Sequence, residues 1–380
     1  MNELEIQRKK IDEIDKQLLP LFLERMACSK AVADYKKANN MPILDKAREK
    51  AILDHKMSLV EPEKAGAVRD FFSSIMSISR AAQRKELTAD KSNIDLSQIF
   101  TKGHLKADPT VVFQGVAGAN SETALIKIFG DDCKRLNVMT FAETLDEVES
   151  GRADYAVLPL ENASTGSISG VYELLESRDF YIVSEVDVSI EHCLVAHPDA
   201  KISDIETVYS HEQGYLQCKE FFKSYPRIEF QAYYNTAMAA KLIAGMGEKS
   251  KAAIADPRCA DIYGLKILAD NISTSHNNVT RFAAVAKKGI LNEDCNKISI
   301  LFTLPNESGT LSHILSEFSI NGLNLVKIES RPRHDKNFEY MFFVDFEGNL
   351  LDEKVQRVMG TVAESTSYLK ILGNYPYAKE

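Results

Sequence analysis

No stretch of the chain approaches 18 consecutive apolar residues, so the sequence offers no membrane-spanning helix. The opening Met-Asn-Glu-Leu-Glu lacks the basic and then apolar run of an export signal. Cysteine is sparse. The six thiols, Cys28, Cys133, Cys193, Cys218, Cys259 and Cys295, lie far apart and form no Cys-x-x-Cys pair, which excludes zinc or redox spacing and a dense disulfide framework. Reduced thiols in the cytoplasm fit this usage. The histidines show no His-Glu-x-x-His or other ligand spacing, so no metal is expected. Positive charge is in deficit: 46 Lys+Arg against 55 Asp+Glu give a net charge of −9, which argues against a general nucleic-acid binder. Any anionic ligand must meet cations gathered locally.

What is present is an ordinary globular composition, 44% hydrophobic and 27% charged, over 380 residues, enough for two to four domains. Residues 1–90 hold 17 Lys+Arg against 15 Asp+Glu, so the basic end is the N-terminal one. From Ile6 to Ala38, apolar residues at Ile11, Ile14, Leu18, Leu21, Cys28, Val32 and Tyr35 follow a helical seam. Pro20 lies inside it, so either the helix kinks there or its span is shorter. Helical segments over about Asp45–Val60 and Ala67–Leu87 complete an all-α domain, residues 1–90. Residues 91–109 are polar, without sustained periodicity, and suit a linker. Residues 110–290 alternate short β-rich runs with helical ones, an α/β domain. Residues 296–376 read strand, helix, strand, strand, helix, strand, the βαββαβ order of a ferredoxin-like α+β domain.

On the first helix Arg25 takes a seam position, and Lys36, eleven residues on, lies about 20° away around the axis, so two cations share one face. Asp45, Arg48 and Glu49 fall at i, i+3 and i+4 of the second helix, and Ser79 and Gln83 at i and i+4 of the third. A solvated charged face and an anion site are both compatible with such sets. Arg8, Arg25, Lys36, Asp45, Arg48, Glu49, Ser79 and Gln83 resemble, in type and spacing, the active-site residues of the all-helical chorismate mutases. The resemblance implies rearrangement of chorismate to prephenate. Arg8, Arg25 and Arg48 would hold carboxylates, Glu49 the ring hydroxyl, and Lys36 and Gln83 the ether oxygen. A pericyclic step needs a compact conformer and fixed donors rather than a titrating acid. Arg8 and Arg25 are seventeen residues apart, about 25 Å along one helix, too far to hold one substrate. A symmetric homodimer with crossing helices, each pocket borrowing Arg8 from the other copy, is therefore expected.

In the central domain the run Val111 to Ala124 passes from strand through Gly115 and Gly118 into a helix with Ser121 near its start, whose amides suit a carboxylate. Polar clusters follow at Leu158–Gly166, Tyr209–Gln213 and Asn278–Phe282. As a set these segments resemble prephenate dehydratase. The resemblance implies Thr280 as the essential threonine, with Ser121, Glu161, Asn162, Thr165, Ser210, Gln213 and Phe282 lining the prephenate cleft. Ala117 or Val116, together with Asn120, departs from the family's Pro and aromatic residue in the first glycine segment, and Asp256-Pro257 from its small-residue run. His192-Cys193 reads as packing. The Gly245-Met-Gly247 run follows a helical stretch, the wrong context for a nucleotide fingerprint, which sets aside a fused dehydrogenase.

In the last domain Gly309-Thr310-Leu311 opens a helix and Glu329-Ser330-Arg331-Pro332 ends a strand. The pair resembles the ACT domain of phenylalanine-inhibited dehydratases. That implies phenylalanine at Gly309, Thr310, Leu311, Glu329, Ser330 and Arg331. Together the resemblances imply a bifunctional enzyme of phenylalanine biosynthesis with feedback by its end product, no organic cofactor, and a homodimer or tetramer. The rival reading is a non-catalytic or mutase-only amino-acid sensor on a degenerate dehydratase fold.

Overall fold

A computed structural model of the chain describes residues 2–39, 41, 43–87, 95–275, 277–307, 309–332 and 340–377. It divides into two compact units, one of residues 1–96 and 301–369, the other of 97–300 and 370–380.

The first unit begins with α1 (Glu3–Ala38), α2 (Lys46–Met57) and α3 (Pro62–Leu87). Asn2 caps α1 through a reciprocal box: its side chain accepts from the Glu5 amide and the Glu5 carboxylate accepts from the Asn2 amide. The helix continues through Pro20, which resolves the sequence's alternative in favour of the long span. Helix α3 starts five residues earlier than expected. Pro62 occupies its first position, where a missing N–H would have had no helical partner.

The seam read on α1 is not the face that α3 covers. Ile11, Ile14, Leu18, Leu21, Val32 and Tyr35 are 44–65% exposed, whereas Ser29 and Ala33 are buried and Phe22, Arg25, Met26 and Lys36 half-buried. The covered stripe, 22-25-26-29-33-36, is itself at helical spacing and is largely small or polar. Bonds from Arg25 to Ser79 and from Gln83 to Ser29 advance together along both helices, so α1 and α3 run parallel.

After residue 301 the same unit holds the helix Thr310–Ile320, the antiparallel strand pair Leu325–Pro332 and Tyr340–Glu347, and the helix Glu353–Ser365. With the flanking strands Lys297–Thr303 and Tyr368–Tyr375 the chain order is the expected βαββαβ.

The second unit has two α/β lobes. In one, a sheet runs in the order Tyr181–Ser189, Val279–Ala286, Tyr155–Asn162, Thr110–Gln114, Lys134–Val138, with the last three parallel and the first two joining antiparallel. In the other, the order is Lys266–Ala269, Cys193–Ala196, Lys251–Ala255, Thr207–Ser210, Glu229–Ala232. The chain crosses between lobes twice, at 190–192 and at 270–278. Val279–Ala286, a nearly continuous buried run, lies in the first sheet between Tyr181–Ser189 and Tyr155–Asn162. Of the stretch read as a linker, 91–94 lie outside the described residues, and Phe100–Lys102 forms a strand parallel to Gly289–Leu291.

Candidate active sites

In the helical unit three of the sequence-predicted residues, Arg25, Ser79 and Gln83, lie where α1 faces α3. Arg25 Nη1 donates to Ser79 Oγ at 2.6 Å, and Gln83 Nε2 to Ser29 Oγ at 2.7 Å. Lys36 Nζ donates to the Ile43 carbonyl at 2.5 Å, which ties the end of α1 to the connection before α2. Ser79 and Gln83 are buried, and Gln83 Oε1 has no partner among the described residues. Fixed polar atoms of this kind can orient a small anion without titrating near neutrality.

The other members stand differently. Asp45 caps α2, its Oδ1 accepting from the Arg48 amide at 2.9 Å. Arg48 is exposed on the first turn of α2, and Arg8 is exposed near the start of α1, far from Arg25. Glu49 meets Arg80, whose Nη1 lies 2.5 and 2.6 Å from its carboxylate oxygens. Arg80 carried no signal in the sequence. It adjoins Ser79 but selects a partner 31 residues away across two helices.

In the second unit Thr280 and Asn162 are register partners on adjacent antiparallel strands, both buried. Asn162 Oδ1 accepts from the backbone amides of Ser164 and Thr165 at 3.0 and 3.1 Å and from the Ser164 hydroxyl at 2.6 Å. Those amides are donors only, so the orientation of the Asn162 amide is fixed. Its Nδ2 therefore faces Thr280 Oγ1 at 2.8 Å, and also donates to Asn278 Oδ1 at 2.7 Å. Thr280 accepts this bond and keeps its own hydroxyl proton for a further acceptor.

The network crosses to the other lobe through Gln217. Its Oε1 accepts from Asn278 at 2.9 Å and from His192 Nε2 at 2.8 Å, and its Nε2 donates to Ser164 Oγ. Burial pushes His192 below its ordinary value, outweighing the Gln217 bond and the attraction of Asp256, so the ring is neutral and its Nδ1 has no partner among the described residues. Ser210 closes the strand Thr207–Ser210, and Gly214 fits between it and His192: a Cβ there would stand 2.8 Å from Ser210 Oγ and 3.8 Å from His192 Cε1. Gln217 and Asn278 are site residues the sequence reading missed. Gln217 sits four residues after Gln213, and helical spacing pointed to it; Asn278 lay inside a quoted segment.

Of the other predicted members, Thr165 joins this cluster through its bond to Asn162 Oδ1, and among the described residues the rest do not bond to it. Gln213 and Thr165 are exposed, and the Gln213 amide is capped by His211. Ser121 Oγ donates to the Gln114 carbonyl at 2.6 Å. Phe282 is buried in the core. Glu161 points to the opposite face of the sheet from Asn162, as alternation requires, and pairs with Arg281 at 2.7 Å. Together with Lys127 and Asp187 this pair lines a cavity of about 540 Å³. Burial opposes the charge of Arg281, but the carboxylates of Glu185, Asp187 and Glu161 outweigh it and raise its proton affinity. Cys193 is buried with Sγ against the Ala255 carbonyl, and burial lifts its thiol to about 12, in keeping with packing. Gly247 ends the helix Thr236–Met246 in the left-handed conformation, a C-terminal role that no nucleotide phosphate would meet.

In the 301–369 segment Gly309 adopts φ 89°, a conformation that favours glycine, and begins the helix Thr310–Ile320. Thr310 Oγ1 donates back to the Glu307 carbonyl, and Leu311 is half-buried. Glu329 and Arg331 bond to each other at 2.8 Å on one face of their strand, and Ser330 is exposed on the other.

Comparison with known proteins matches residues 7–84 to the family chorismate mutase type II, 111–290 to prephenate dehydratase and 298–362 to the ACT domain. The bifunctional chorismate mutase/prephenate dehydratase of Buchnera aphidicola subsp. Schizaphis graminum is 30% identical over 99% of this chain and 97% of its own. The protein of that name from Aquifex aeolicus is 32% identical over 100% and 99%. Among solved structures, prephenate dehydratase from Arthrobacter aurescens in complex with L-Phe covers 71% of this chain and 90% of its own, at 29% identity and a TM-score of 0.65. An all-helical mutase domain, an α/β dehydratase domain and a βαββαβ ACT domain thus follow one another in a single enzyme, and the chain belongs to the bifunctional chorismate mutase/prephenate dehydratase family.

Proposed function

We propose that chorismate is bound by Arg25, Lys36, Asp45, Arg48, Glu49, Ser79 and Gln83, with Arg8 supplied by a second copy of the chain. Arginines hold the two carboxylates, Glu49 takes the ring hydroxyl, and Lys36 and Gln83 donate to the ether oxygen as negative charge develops there. The stripe shared by Arg25, Ser29 and Lys36 against Ser79 and Gln83 supports this pocket. The exposed apolar face of α1 supports a homodimer.

Prephenate then loses carbon dioxide and its ring hydroxide in the second unit, aromatisation supplying the driving force. The Thr280 hydroxyl donates a hydrogen bond to the departing hydroxide, and Asn162 holds the threonine oxygen in place. The observation that carries this reading is the 2.8 Å bond that Asn162 donates to Thr280, which leaves the threonine hydroxyl free to donate. Gly309, Thr310, Leu311, Glu329, Ser330 and Arg331 bind phenylalanine as a feedback signal; the L-Phe complex of the Arthrobacter aurescens dehydratase supports that ligand. The enzyme works in the cytoplasm. Among the described residues no helix is long and apolar enough to cross a membrane.

The test supplies chorismate to the purified full chain and follows prephenate and phenylpyruvate with and without phenylalanine. Both products are expected, with less phenylpyruvate when phenylalanine is present. Thr280→Ala is expected to lower phenylpyruvate formation by roughly 10²–10⁴-fold, with Thr280→Ser retaining much of it. Full turnover in Thr280→Ala would remove the donor role, and turnover indifferent to phenylalanine would remove the feedback.

A further inference from the structure

Arg80 has no place in the set of residues assigned to chorismate, yet among the described cations of α1, α2 and α3 it alone is buried. It is 5% exposed on α3, between Ser79 and Gln83, and three carriers of charge or ring nitrogen surround it. Its Nη1 lies 2.5 and 2.6 Å from the two oxygens of Glu49 on α2. Its Nη2 lies 3.2 Å from each ring nitrogen of His313 and 3.7 Å from Glu317 Oε1, both on the helix Thr310–Ile320. Glu317 is 1% exposed and accepts from the buried Ser77 Oγ at 2.8 Å, so the far end of the guanidinium is itself anchored.

Helix α2 has twelve residues, and Glu49 stands in its first turn with its side chain 25% exposed. A planar guanidinium offers two directions at once: one amine on Glu49, the other on His313 and Glu317. We propose that Arg80 is a positioning residue of the mutase. It holds the Glu49 carboxylate for the ring hydroxyl of chorismate and is itself held by His313 and Glu317. A carboxylate has about four acceptor sites, so one bound to Arg80 retains room for the substrate hydroxyl. The mutase pocket on this account is completed by a helix that lies outside the mutase sequence family, whose match ends at residue 84. This rests on the assignment of Glu49 to the ring hydroxyl.

The experiment measures mutase kcat and KM in the full chain for Glu49→Gln, Arg80→Gln, Arg80→Lys, Glu317→Gln and the Glu49→Gln/Arg80→Gln double variant. Dehydratase turnover of added prephenate serves as the folding control. Arg80→Gln is expected to lower kcat/KM of the mutase roughly 10- to 100-fold, the scale of a misplaced catalytic group, with dehydration unchanged. Glu317→Gln is expected to lose less, and Arg80→Lys to restore part of the loss. If Arg80 acts through Glu49, the double variant is no worse than Glu49→Gln alone. Should Arg80→Gln fail to fold, Arg80→Lys and Glu317→Gln carry the same comparison against Glu49→Gln. Losses that multiply in the double variant, or a wild-type mutase in Arg80→Gln beside an impaired Glu49→Gln, overturn the role of Arg80 alone. A wild-type mutase in Glu49→Gln overturns the Glu49 assignment and the proposal with it.

Discussion

Single side chains in this molecule are fixed by what their neighbours leave them. Asn162 has its carbonyl taken by two backbone amides, so its amine must serve Thr280 and Asn278. His192 spends its one proton on Gln217 and leaves Nδ1 bare. Protonating that ring would bury a charge with no added partner, which is the cause of its lowered proton affinity. The consequence for stability has a definite sign. Below the ordinary value of 6.5 the unfolded chain binds a proton here that the folded chain does not. This contribution is therefore complete above that value and is lost as pH falls from it toward the lower folded value. Urea unfolding of the second unit between pH 8 and 5 is expected to show a steeper loss of stability in the native sequence than in His192→Gln. Equal slopes would mean that His192 does not carry the effect. Three thiols of the same unit, Cys193, Cys218 and Cys259, are lifted to about 12 by burial and stay protonated throughout this range.

Elements were legible in the sequence wherever a period fixed a face. Ser79 and Gln83 both bond to α1 from one face of α3, because 100° per residue decides which side chains align. Helical spacing also marked the apolar face of α1, but periodicity cannot say which partner covers a face. The face with the larger residues is exposed, and α3 packs on the neighbouring stripe. For the same reason the pairing of Arg80 with Glu49, and of Gln217 with His192 and Asn278, was not legible: each joins segments whose approach is set by packing. The exposed row Ile11, Ile14, Leu18 and Leu21 lies between Arg8 and Arg25. A second α1 crossing there would cover it and carry its Arg8 toward the first chain's pocket. Arg8→Ala and Arg25→Ala chains are each expected to lose mutase activity. Unfolded and refolded together in equal amounts, they should recover about a quarter of the normal rate, because half of the dimers are mixed and each mixed dimer keeps one intact pocket. No recovery would place Arg8 outside any shared pocket.

At the scale of the whole molecule the two chemistries occupy different compact units, with Arg25 in the first and Thr280 in the second, and the two residues share no hydrogen-bond partner among the described residues. Substitutions at sites without common neighbours act independently as a rule. Thr280→Ala is therefore expected to convert chorismate at the normal rate and accumulate prephenate one for one. Arg25→Ala is expected to lose about 10²–10³ in mutase kcat/KM, the scale of a removed charge-stabilising donor, while dehydrating added prephenate normally. An equal mixture of the two variants should then turn chorismate into phenylpyruvate after a lag that shortens as protein concentration rises, since prephenate must leave one molecule and enter another. A change of more than about twofold in the activity not targeted would show that the sites are energetically joined, because independent substitutions leave only a few tenths of a kcal/mol unaccounted for. The lag separates the remaining possibilities. If the native chain shows the same lag as the mixture, prephenate passes through solvent between turnovers; if the native chain shows none, the covalent link between the units shortens that passage.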